Sequence, residues 1–204
     1  MPVTLNASTS SGLIATSDTS GDVAVQSNGT TKLTVSSTGV NIGQYNPGTS
    51  LITSGTVQNS TSGTAIDFTG IPSWVKRITI MLAGVSTNGS SNYVFQLGTA
   101  GGVVTTGYIN YGMNFGSSGG SGAGYTNGFN SKGPAAGDLT SGSIIITNLT
   151  SNTWTAFGMT AAGAAATGYL TAGSIALGGT LTRVRITSST PDTFDAGSIN
   201  ILYE

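Results

Sequence analysis

Seven carboxylates are the side chains best placed to move protons in this chain: Asp18, Asp22, Asp67, Asp138, Asp192, Asp195 and Glu204. Only Asp18 with Asp22 and Asp192 with Asp195 lie close in sequence, thin material for general acid and base work. Two carboxyl groups held about 5 to 10 Å apart can hydrolyse a glycoside, but Asp192 and Asp195 follow Pro191 and read as turn residues. Asp18-Thr19-Ser20-Gly21-Asp22 offers a hard cation two carboxylates and some backbone oxygens. Calcium usually takes about six to eight oxygens, and no glutamate closes the motif, so an Asx turn is expected there rather than a metal. Histidine and cysteine are absent, which removes zinc centres, disulfides and the triads built on imidazole or thiolate. The expectation is a non-enzyme with no catalytic residue, no metal and no cofactor.

Recognition has more material. Tyr108, Tyr111, Phe115, Tyr125 and Phe129 are embedded in Gly, Ser and Asn, the composition that antibody loops use for adaptable contacts. Tyr111, Met113 and Phe115 share one face of a strand and are expected to fill a core. Tyr125, Phe129 and Lys132 fall in a Gly/Ser-rich excursion from Gly116 to Ala136, too long for a hairpin turn. That segment is expected to be a mobile tip or a binding loop, and these three residues are the candidates to touch a receptor or a host-surface glycan. A net charge of −1 supplies no field for phosphate, so neither nucleic acid nor anionic lipid is an expected partner. Arg183 and Arg185 alternate along one apparent strand, and Lys76 and Arg77 adjoin another, as at a sheet face or edge. The opening residues lack the cationic and apolar regions of a signal peptide, and nowhere do about 18 apolar residues run together. Passage across a membrane by the usual signal, and membrane insertion, are not expected.

The elements that hold these residues must be strands. Charged residues make up 6% of the chain against roughly 25% in an ordinary domain, while 32 glycines, 33 threonines and 27 serines dominate. With 37% hydrophobic residues, many of them β-branched, such a chain folds as pleated strands rather than staying disordered. In residues 1–45, short runs around Val3 and Leu5, Leu13, Val23 and Val25, Leu33 and Val35, and Val40 are separated by turn signals, Asn28-Gly29 being the strongest hairpin signal among them. Each run supplies two or three apolar side chains, too few to close a core. Three copies packed around one axis would bury those stripes. Residues 46–54, including Pro47-Gly48, read as a linker. From residue 55 to 204, strands are expected near 64–69, 75–85, 92–97, 104–115, 142–149, 153–160, 168–177, 181–187 and 197–203, the count and spacing of an antiparallel sandwich or jelly roll. Trp74, just after Pro72, is expected to cap that sandwich at a corner.

The segment from Gly63 through Phe68-Thr69-Gly70-Ile71-Pro72-Ser73-Trp74-Val75-Lys76-Arg77 to Ile80, followed by Gly84-Val85-Ser86-Thr87-Asn88-Gly89, resembles a module of tailed-bacteriophage virion proteins. The opening Val3-Thr4-Leu5-Asn6-Ala7-Ser8, with Asp18 to Asp22 and Gln26 to Thr31, resembles the N-terminal segment of phage tail-fibre-like proteins. The resemblance implies a homotrimer on the particle surface, assembled in the host cytoplasm. In it an intertwined stalk of short strands, including Val3, Leu5, Leu13, Val23, Val25, Leu33 and Val35, anchors a jelly-roll-like sandwich head to the major capsid protein or another virion protein. Capsid decoration, cement or head fibre is the expected role. A receptor-binding tail fibre or carbohydrate-binding protein is the alternative, and an enzyme acting on surface polysaccharide a third.

Overall fold

The computed structural model describes residues 23–27, 30–37, 39–42, 52–116, 119–131, 133 and 135–204. Every regular element among the described residues is a strand, and the chain divides into two compact units, Met1–Leu51 and Ile52–Glu204.

In the first unit β1 (Val23–Ser27), β2 (Thr30–Ser36) and β3 (Gly39–Ile42) form an antiparallel meander in that order. Its register sets Val23 opposite Val35, Val25 opposite Leu33 and Val35 opposite Val40. Directly opposed residues share a face, so the apolar positions of the three strands gather on one side. Ser27 closes onto Thr30 where the sequence places Asn28-Gly29, two residues outside the described set. Val3, Leu5 and Leu13 also lie outside it.

The second unit begins with β4 (Thr53–Ser54), β5 (Gln58–Asn59), β6 (Ala65–Thr69), β7 (Arg77–Thr87), β8 (Tyr93–Thr99) and β9 (Gly102–Val103). It continues with β10 (Ile109–Gly116), β11 (Gly119–Tyr125), β12 (Phe129–Ser131), β13 (Thr140–Thr150) and β14 (Thr153–Ala162). Last come β15 (Thr167–Ala176), β16 (Arg183–Ser188) and β17 (Phe194–Tyr203). The pairings are antiparallel and make two sheets. The larger runs β11-β10-β15-β14-β13-β7-β17-β4, with β5 also on β17; the smaller runs β12-β8-β16-β6, with β9 on β8. Successive strands cross repeatedly between the sheets, and the result is an antiparallel β-sandwich. The expected linker 46–54 overlaps it, because Thr53–Ser54 already pairs with Leu202 and Tyr203.

Alternation makes the core. Ile78, Ile80 and Leu82 of β7, Ile144 and Ile146 of β13, and Ile199 and Ile201 of β17 point inward from the large sheet. They meet Ile66, Phe68, Phe95, Leu97, Val184 and Ile186 of the small one. The side chains between them point out. On the large sheet two cross-strand rows result: Tyr111-Ala172-Phe157-Ile145-Thr79-Leu202 and Met113-Leu170-Met159-Ser143-Met81-Asn200. On the small sheet Asp67, Arg185 and Gln96 form the outward row. At Gly197 the β17–β7 register shifts; its φ is +90°, and a Cβ there would sit 2.3 Å from the Gly84 carbonyl oxygen, so only glycine fits.

Two expectations about aromatic side chains are corrected. Tyr111 and Phe115 do not fill the core: β10 is phased so that Asn110 and Gly112 face in while Tyr111, Met113 and Phe115 face out. Asn110 earns its inward place through hydrogen bonds to Thr171, the Ala172 carbonyl and the Asn130 amide, which satisfy a polar group that burial would otherwise penalise. Trp74 is more than half exposed and leans on Tyr203 with ring centroids 5.9 Å apart; the neighbouring core positions are taken by Ile71 and Val75.

Phe95 is fully buried in the sandwich. Phe95→Ala should lower stability by about 3 to 5 kcal/mol, read as a fall in the urea midpoint; a loss under about 1 kcal/mol contradicts the packing. Tyr93 and Tyr108 are buried with hydroxyls hydrogen-bonded to the Val85 and Val104 carbonyls, and burial raises both to about 12 from the usual 10. Below pH 10 both states keep these protons. Between pH 10 and 12 the unfolded chain loses them while the folded chain holds them, so stability falls as pH rises, by about 1.4 kcal/mol per pH unit for each group. Tyrosinate absorbance followed alongside denaturant unfolding should show at least two of the seven tyrosines, Tyr93 and Tyr108, ionising late, with a matching loss of stability in that window.

Candidate functional site

Among the described acids, Asp67, Asp192 and Asp195 each take hydrogen bonds from neighbouring elements of the fold. On the outward face of the small sheet Asp67 takes two hydrogen bonds from Arg185, Nε to Oδ1 at 2.7 Å and Nη2 to Oδ2 at 2.6 Å. This bidentate pair raises the guanidinium above its ordinary range, the hydrogen bond to Asp67 being the main cause. Asp192 lies in the turn before β17, where it accepts from the Ser91 amide at 3.0 Å and from Thr190 Oγ1 at 3.0 Å. Hydrogen bonding by Ser91 holds its carboxyl below the usual range, opposite to the raised value a general acid needs. Asp195 is not in the turn. It belongs to β17, beside the register shift, and accepts from Ser86 Oγ. Among the described residues no three acids converge in a way that would hold a metal; Asp18 and Asp22 lie outside them.

The segment read as a loop folds into strands. β11 pairs with β10 from Asn110–Tyr125 to Gly116–Gly119, and β12 pairs with β8 through Phe129–Phe95. Phe129 is fully buried against Tyr108, edge to face at 5.1 Å, so it is not available to a glycan. Tyr125 is partly exposed and its hydroxyl accepts a hydrogen bond from Asn92 Nδ2 at 2.9 Å. It remains reachable without Phe129 beside it at the surface. Lys132 lies outside the described residues. Tyr125 and Phe129 are therefore not brought together at the surface.

Two surfaces stand out instead. One is the apolar side of the β1–β2–β3 meander, where Val23, Val25 and Val35 are 44%, 46% and 40% exposed, with Leu33 and Val40 half-buried beside them. Among the described residues no second layer lies against this face, which alternation makes apolar. The other is a cleft of about 320 Å³ between the edge of β6 and the β4–β5 segment on β17, lined by Gln58, Asp67, Thr69, Gly70, Ile201 and Tyr203 among others. Gln58 Nε2 already donates to the Asp67 carbonyl across it at 2.7 Å. Sequence alternation pointed to the valines. Nothing local marked the cleft, because Ile201 and Tyr203 join Gln58 and Asp67 from more than a hundred residues away.

No known protein-family model, curated protein or solved structure matches this chain.

Proposed function

We propose that this chain is a non-enzymatic structural protein of a tailed-bacteriophage virion, assembled as a homotrimer that decorates the particle exterior as a capsid decoration, cement or head-fibre protein. The observation that carries the reading is the β1–β2–β3 meander, a sheet with an apolar face and no second layer of its own among the described residues. Three such sheets around one axis remove that face from water, at roughly 25 cal/mol for each Å² of apolar surface covered, and closed symmetry also hides strand edges that sparse charge protects poorly. The sandwich then serves as a rigid outward head. Its acids support the non-catalytic part of the reading, since Asp67, Asp192 and Asp195 are each engaged by fold-building partners. The phage assignment is supported by the sequence resemblance of residues 63–89 and of the opening segment, and the receiving partner on this reading is the major capsid protein or a neighbouring virion protein.

A receptor-binding or carbohydrate-binding role is the alternative, favoured by the cleft beside Asp67 and Tyr203. Its volume falls at the small end of ligand sites, and its polar lining suits a hydroxyl-rich ligand.

Light scattering on the eluting full chain should give a mass three times that of the 20.2 kDa polypeptide. Val25→Asp with Val35→Asp should shift the assembly to lower mass, by about 100-fold or more in dissociation constant, since each unpaired charge would sit in an apolar contact. Antibody labelling of intact particles should mark the exterior. A single-copy mass for the unmodified chain, or particles that carry no label, removes the proposal.

A further inference from the structure

The outward face of the large sheet differs in chemistry from the outward face of the small one. Every methionine of the chain other than Met1 stands on one row of it: Met81, Met113 and Met159, on β7, β10 and β14. The adjacent row carries Tyr111, Phe157 and Ile145. No charged side chain occupies either row; Arg77 stands at the margin, ion-paired with Glu204. The small sheet disposes of its outward face in the opposite way, with Asp67, Arg183 and Arg185.

Glycines flatten the apolar face. A Cβ on Gly122 would meet the Tyr111 ring at 2.6–2.8 Å, and one on Gly168 would meet the Phe115 ring at 2.4–3.1 Å. Both rings therefore lie down along the sheet over missing side chains. This is how a sheet presents a smooth contact surface instead of isolated knobs.

We propose that this methionine-lined face is the surface through which the sandwich heads of separate copies of this chain meet. The inference rests on the self-associating reading above and locates a second contact, distinct from the meander. Area is the first argument. Ile109, Tyr111, Phe115, Ile145, Phe157 and Met159 are each 40% to 76% exposed, together roughly 600 Å² if a full side chain offers about 150–250 Å². That is the upper limit of what lone proteins display and approaches the roughly 800 Å² that each partner gives to a standard interface. Charge is the second. A face without charge has no complement among charged partners but matches its own copy, and two sheets of equal twist pack face to face. Methionine, flexible and polarizable, adapts to the fit.

Peroxide footprinting of the intact chain tests it. At concentrations where the protein is assembled, Met159 should form sulfoxide at least about tenfold more slowly than in the urea-unfolded chain, and dilution to single copies should abolish that protection. Met159→Glu should weaken assembly by about 100-fold or more in dissociation constant, through a charge buried in an apolar contact. Val25→Asp with Val35→Asp should leave Met159 protected while copies still associate at high concentration. A three-copy mass with Met159 oxidised as fast as in the unfolded chain, and unchanged by Met159→Glu, overturns this inference and leaves the meander trimer standing. Association with an unchanged dissociation constant after the valine changes, but lost in Met159→Glu, overturns the meander reading and leaves this one. Protection seen only after adding phosphatidylcholine vesicles overturns it in favour of a lipid surface.

Discussion

A strand has two faces, and in a two-layer sandwich the chain can bury only the inner one. The rest of this structure is a set of answers to that constraint. Inward positions are filled by Ile78, Ile80, Ile144, Ile146, Phe95 and Ile186, which close the core from both sheets. Outward positions of the small sheet are handled with charge and hydrogen bonds, through the Asp67–Arg185 fork beside Gln96. Those of the large sheet are handled with methionine, aromatic and isoleucine side chains. The meander has no inner layer at all among the described residues, so its valines remain exposed.

The composition follows from the same constraint. A protein whose polar surface is built from serine and threonine has few charges, and several of the described ones are tied to particular partners: Asp67 to Arg185, Arg77 to Glu204, Asp192 to the Ser91–Thr190 turn. Exposed pairs of this kind contribute about 1 kcal/mol or less each. They set which face is polar more than they set stability. Glycine is used where backbone or ring must come close, as under Tyr111 and Phe115 and at the Gly84–Gly197 register shift. On the proposed reading, faces of this kind are there to be covered.

Much of this was legible before the fold. The runs of β13, β14, β15, β16 and β17 announced their strands within a few residues, because β-branched and aromatic side chains recur along each of them. The hairpin of β1 and β2 and the apolar parity of Val23, Val25, Leu33 and Val35 were equally plain. β11 was not. Four of its seven residues are glycine, so it has almost no side-chain signature, although it pairs with β10 along its whole length. Phe129 was misplaced for the same reason, since glycines on both sides disguised a short strand as a loop. The phase of β10 was misread because Ile109, Tyr111, Met113 and Phe115 look like a core stripe, whereas Asn110 goes inward.

The sequence by itself determined that this protein is built of strands, which residues alternate along them, and that it lacks imidazole and thiolate chemistry, since these depend on residue type and a period of two. Only the tertiary structure decided which of the two faces is the inside. That choice turns on partners far away in the chain: Thr171, the Ala172 carbonyl and the Asn130 amide for Asn110, and Tyr108 for Phe129. Alternation separates two faces but gives neither a direction, because burial is a property of what a second sheet lays against them.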